Sequence, residues 1–363
     1  MRTSMMSEER FVKQFENSLL REFGTTDLDE ISGKVSADSD IVKFNNPKKV
    51  ELVLGNQCDL HCVYCNLYNS SQWSLTEYRN KTITYDQYKL VTSSGQSDKA
   101  VDAIWKWMDS DVKHTLQYIS IVGGEPLIIP EFYNIADKLI KVFENTTNRP
   151  QLIIITNLNT PTKYFSKFLT YLEELSRKFN ILVSVSIEAT HNRAEYIRSN
   201  LDWDLFEKNL DTLLSLDSSV CNIQFLPSIN ILSLSSTREF LEWHFNKCTQ
   251  FNRDIKLESN IVTKPEFLSP YILSPNFIRY IDSAVAYLRQ QTYGTINFDY
   301  YCDYLLGIKQ ALSTNNLIHP QTKKDFLNRI EMFDARSSLK FVDIFPEMQE
   351  FFLQCKDDIN DVT

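Results

Sequence analysis

Cys58, Cys62 and Cys65 fall within eight residues, in the run LGNQCDLHCVYCN. The other four cysteines, Cys221, Cys248, Cys302 and Cys355, are scattered. A cluster this tight in a chain with an odd cysteine count points to a metal rather than to a disulfide framework. Three thiolates on one loop can grip three irons of a cubane iron–sulfur cluster; full protein ligation would take four, so one iron stays open to an outside ligand. The competing reading is a structural zinc site with His61 as fourth ligand, but zinc sites usually join ligand pairs from separate segments.

A second group is Gly123-Gly124-Glu125-Pro126. Two of only eight glycines are adjacent here. Glycines at a strand end let a backbone approach a ligand closely, and a carboxylate beside them can accept from an ammonium group.

These groups must be carried by regular elements. Short apolar runs read as strands at Val50–Leu54, Tyr118–Val122, Leu152–Thr156 and Ile181–Ile187. A fifth covers Asn222–Ile231, interrupted by Pro227, and a weaker sixth covers Ile255–Val262. Helical periodicity separates them: Phe132, Ile135, Leu139 and Val142 share one face, as do Phe165, Phe168, Leu169, Leu172 and Leu175. Leu210, Leu213 and Leu214 follow an N-cap at Asp202 or Asp204, and Phe240 to Cys248 form a less clean fourth helix. Such alternation predicts an α/β fold with a parallel sheet, open or closing toward a barrel, whose ligands collect beyond the C-terminal strand ends. The cysteine loop follows strand one and the Gly-Gly-Glu segment strand two, so both emerge at that edge. A polar lead-in with a helix at Glu8–Phe23 precedes residue 47. From about Ser274 the chain reads as helices only: Asn276–Thr292, Tyr300–Ser313, Lys323–Phe333 and Glu347–Gln354.

With these motifs in place, the chain resembles the radical S-adenosylmethionine superfamily, whose signature is this cysteine spacing with an aromatic residue, here Tyr64, before the third. The resemblance covers roughly residues 48–262. It implies a partial (β/α)6 barrel over 47–265, a helical lead-in over 1–46 and a helical extension over 266–363 similar to the twitch-type subgroup. It also implies a [4Fe–4S] cluster on Cys58, Cys62 and Cys65, with S-adenosylmethionine on the open iron through its amino and carboxylate groups. One-electron reduction then splits the sulfonium, and the 5′-deoxyadenosyl radical takes hydrogen from substrate. Gly123, Gly124, Glu125 and Pro126 would meet the cofactor's amino group, Ser186 and Glu188 its ribose and methionine parts, and Arg198 its carboxylate. Asn157 would face the same cavity, and backbone near Tyr64 the adenine.

The chain departs from the family pattern on strand five, which lacks the glycine that meets adenine in many members. The isolated late cysteines disfavour an auxiliary cluster. A flavodoxin- or ferredoxin-like electron donor is implied, and the subgroup leans toward a peptide or protein substrate. Two rival readings are a zinc-stabilised binding protein without catalysis and a degenerate member that keeps the cluster but does not cleave the cofactor. The net charge of −9 argues against non-specific nucleic-acid or membrane binding. Without an 18-residue apolar run or a signal peptide, the expected location is the cytoplasm.

Overall fold

The computed structural model describes residues 46–92, 98–291, 298–314 and 318–360. The lead-in helix read at Glu8–Phe23 lies outside the described residues. Six strands form one parallel sheet in chain order: β1 Lys49–Val53, β2 Tyr118–Val122, β3 Gln151–Thr156, β4 Asn180–Val185, β5 Asn222–Phe225 and β6 Lys256–Leu257. Each pairs in parallel with the next; Ile121 lies opposite Ile154, and Ile154 opposite Val183. Among the described residues the sheet keeps two free edges, as a partial barrel requires.

Three helices lie between β1 and β2: α1 Ser71–Arg79, α2 Tyr85–Thr92 and α3 Asp98–Trp107. The sequence reading has none of them. α1 and α2 are rich in Ser, Thr and Tyr, and α1 buries only Trp73 and Ser74, so no broad apolar stripe announces it. The remaining crossovers are α4 Pro130–Val142, α5 Thr162–Ser176, the pair α6 His191–Ile197 and α7 Trp203–Leu214, and α8 Thr237–Phe251. Pro130 opens α4, where a missing N–H costs no helical bond. The Asp202 carboxylate caps α7 by accepting from Leu205 N at 3.0 Å.

Residues alternate along each strand. Ile119, Ile121, Leu152, Ile154, Ile181, Val183, Ile223 and Phe225 are buried in one apolar core with Phe132, Leu139, Phe168, Leu172, Leu210 and Phe240 of the helices. Ile153, Ile155 and Leu182 on the opposite face are only half-buried.

The fifth and sixth strands are shorter than expected. Pro227 has no N–H to give, and the ladder stops at Phe225. Ser228–Ile229 instead pairs with Asn260–Ile261 in a separate two-stranded piece, so the sixth run also divides. Beyond it come α9 Ile278–Leu288, α10 Asp299–Thr314, α11 Pro320–Asp334 and α12 Gln349–Asn360. From Pro47 the described residues make one compact unit. Arg193 of α6 donates to both oxygens of Glu347, at 2.6 and 3.2 Å, which ties the late helices to the sheet. Among the described residues, no helix is long and apolar enough to cross a membrane.

Candidate functional site

Parallel strands deliver their following loops to one edge, and two of these loops interlock. Leu54 N donates to Val122 O at 2.9 Å, Gly124 N to Gly55 O at 2.8 Å, and Glu125 N to Gln57 O at 2.7 Å. A Cβ on Gly123 would stand 2.7 Å from Gly55 O, and one on Gly124 only 2.1 Å from Gln57 O. Gly123 also has φ +145°. The close approach that the sequence reading assigns to a ligand is thus occupied by the backbone of the cysteine loop itself.

The outer side of that loop rests on α1. Trp73 Nε1 donates to Cys62 O at 2.9 Å, the Ser71 hydroxyl accepts from Cys58 N at 3.1 Å, and the Ser70 hydroxyl donates to Leu60 O at 3.1 Å. His61–Cys62 pairs antiparallel with Arg198–Ser199, which places Cys62 opposite Arg198.

Burial pushes all three thiols above their ordinary range, Cys62 to about 12. At Cys58 the neighbouring Cys62 and Asp59 add to the rise; at Cys62 the Arg198 guanidinium works against it. Buried neutral thiols give up their protons to a bound cation, so the donor set suits a metal centre. It does not suit a single ion. Among the described residues, no three His, Cys, Asp or Glu side chains converge closely enough to hold one. The His61 ring stacks on Trp73 at 3.9 Å and on Phe333 at 5.5 Å, and its buried Nε2 has no hydrogen-bond partner among the described residues. A cubane, with one cysteine at each of three corners, needs no such convergence.

The other expected site residues surround the loop. Glu125 is fully buried. One carboxylate oxygen accepts from Leu127 N (3.1 Å) and Thr156 Oγ1 (2.7 Å), the other from Asn157 N (2.7 Å). It therefore ties the ends of β2 and β3 together. Burial pushes Glu125 up to about 7, with Asp59 adding and the three hydrogen bonds opposing. Pro126 opens the 3₁₀ turn that follows. Asn157 turns toward the loop, donating to Asp59 Oδ1 at 2.9 Å. Ser186 stands just past β4, half-buried, its amide on Thr156 O at 2.9 Å.

Glu188 and Arg198, 3% and 5% exposed, form a buried ion pair with Nε at 3.1 Å and Nη2 at 2.5 Å from one carboxylate oxygen. The Tyr64 hydroxyl donates to the other oxygen at 3.2 Å. Arg198 Nη1 lies 4.0 Å from Cys62 Sγ.

Three residues join the site without having been expected. Asp59 sits inside the cysteine motif, and Asn159 Nδ2 donates to its second oxygen at 3.0 Å. The repeated Asn in Asn157-Leu158-Asn159 is a local signal, but its partner lies about a hundred residues away. Tyr301 of α10 is buried and lies within electrostatic reach of Glu188. Nothing near Tyr301 in the chain marks it.

Residues 52–243 match the family described as the Radical SAM superfamily. The chain belongs to that superfamily. The family carries a [4Fe–4S] cluster together with S-adenosylmethionine. No curated protein matches the chain. Among solved structures it is similar to SuiB of Streptococcus suis, with 13% identity and TM-score 0.46, covering 80% of this chain and 60% of that one. SuiB bound to S-adenosylmethionine gives 14% and 0.45, covering 80% and 60%. SuiB bound to the precursor peptide SuiA gives 13% and 0.44, covering 82% and 64%. The chain thus spans about 60% of the length of these structures, and with TM-scores below 0.5 they carry no argument about substrate.

Proposed function

We propose that Cys58, Cys62 and Cys65 hold the cluster and that the loops after β1 to β4 frame S-adenosylmethionine beside it. Together the two groups supply reductive cleavage of the cofactor's sulfonium bond and a radical that takes hydrogen from substrate. The observation that carries this reading is the three-thiol loop, with Cys62 buried and Cys58 and Cys65 half-buried, locked against Gly123–Glu125 and paired with the strand of Arg198.

The charges around the loop support an orientation. Asp59 and Glu125 lie on the Cys58 side, and both add negative potential there. Arg198 lies on the Cys62 side. The amino end of the cofactor is zwitterionic, so its ammonium suits the first side and its carboxylate the second. Two arms of Arg198 are held on Glu188, which leaves Nη1 for that carboxylate. Tyr64 fixes Glu188 from the opposite side. Ser186, Pro126 and Asn157 complete the rim at the same strand edge.

We assign the helical residues after 265 to a twitch-like extension and read the substrate as a peptide or protein, on the sequence resemblance alone. A flavodoxin- or ferredoxin-like protein would supply the electron.

Anaerobic reconstitution tests the reading. The parental protein should turn brown, bind about four irons and release 5′-deoxyadenosine with dithionite and S-adenosylmethionine. Cys58→Ala, Cys62→Ala and Cys65→Ala should each abolish that release. A colourless parental protein would sink the proposal, and an iron-loaded one that yields no 5′-deoxyadenosine would favour the degenerate reading. Deuterium transfer from labelled peptides into 5′-deoxyadenosine tests the substrate class.

A further inference from the structure

The residues that match the family end at 243, yet one guanidinium from far beyond them reaches the cysteine loop. Arg329 of α11 donates from Nη1 to Val63 O at 3.0 Å, across a separation of 266 residues. Val63 lies between Cys62 and Cys65. The same guanidinium lies 4.3 Å over the Trp73 ring and 5.3 Å from the Phe267 ring. Trp73 in turn donates to Cys62 O. One turn along α11, Phe333 closes the stack of His61 and Trp73, 5.5 and 6.0 Å from their ring centres. Arg329 therefore grips the loop twice, at a carbonyl and through the indole that holds the next carbonyl.

Its charge also counts. Arg329 is within electrostatic reach of Cys65, with Glu77 and Arg336 as its other charged neighbours. Burial lowers it only to about 10, so it stays cationic at neutral pH. A fixed cation beside a metal centre favours the state that carries one more electron.

We propose that Arg329 is a positioning residue for the cluster: it clamps the Cys62–Cys65 turn from the C-terminal extension, and its charge favours the reduced state. This inference rests on the cluster reading above. The electron itself comes from the external donor, dithionite in the test, and no bond of Arg329 changes.

The test uses the full chain, reconstituted anaerobically without S-adenosylmethionine and titrated electrochemically while the reduced cluster is followed by electron paramagnetic resonance. Arg329→Gln keeps a donor for Val63 but no charge, and its midpoint should move to more negative potential. Arg329→Lys keeps the charge but not the planar fork over Trp73. Its midpoint should stay near the parental one, while an iron chelator strips its cluster about fivefold faster, the effect of losing about one hydrogen bond. A parental midpoint in R329Q overturns the proposal, as does an equal shift in both variants. If R329Q holds no iron, R329K decides alone, and a parental rate of cluster loss there overturns the clamp. A parental protein that takes up no iron removes the cluster reading and this inference together; iron-loaded parental protein with unaltered variants removes only this one.

Discussion

Gly124 and Glu125 are adjacent and do different work. Gly124 has no room for a side chain, because a Cβ would meet Gln57 O at 2.1 Å and that oxygen is fixed by Glu125 N. Gly124→Ala should destabilise the fold by about 3 kcal/mol, the upper range for overpacking where backbone must move. It should also lower the iron content, and denaturant midpoints with iron analysis check both. Glu125 titrates higher folded than unfolded, about 7 against 4.5, because burial penalises its charge. A raised acid pKa means that the folded state holds the proton longer. The stabilisation is therefore full below pH 4.5 and is lost as pH rises toward 7, by about 3 kcal/mol over that window. Urea unfolding of apo-protein from pH 4.5 to 7 should show the fall, and Glu125→Gln should flatten that part of the profile.

The elements show where local pattern suffices. β3 and α5 are legible because Ile153–Thr156 is a continuous β-branched run behind Leu152 and Phe165, Phe168, Leu172 and Leu175 keep helical spacing, all four ending up buried. α1 has no comparable stripe and is held by Trp73, Ser70 and Ser71 against the cysteine loop. Pro227 is visible in the sequence, yet the register it imposes, with Ser228–Ile229 on Asn260–Ile261, is not. Asp202 is a local cap. Asp202→Ala should cost about 1 kcal/mol in denaturant unfolding and leave the cluster's absorption unchanged, since the carboxylate is spent on Leu205 N and the bond to Asn159 comes from the main-chain N–H, which the variant keeps.

At the scale of the whole molecule, the late helices are joined to the sheet by a few long-range polar contacts. The Arg193–Glu347 pair is bidentate, partly buried and reinforced by the Ser235 hydroxyl at 2.6 Å. A double-mutant cycle of Arg193→Met and Glu347→Gln should give a coupling of about 1–3 kcal/mol, read from thermal or urea unfolding. A coupling near zero would mean that this pair does not hold the late helices in place. Tyr196 of α6, which donates to Asp334 of α11 at 2.8 Å, is a second such tie.

By itself the sequence determined the three-thiol loop, the Gly-Gly-Glu segment and the alternation that sends both to one strand edge. Each is written in residues a few positions apart, because ligand spacing and hydrophobic period are properties of short chain lengths. Only the tertiary structure decided that Gly124 makes room for Gln57, that Asp59 is held by Asn157 and Asn159, that Glu188 pairs with Arg198, and that Arg329 reaches Val63. These partners meet across separations of 10 to 266 residues, where no local pattern marks one for the other and the packing of the elements alone brings them together.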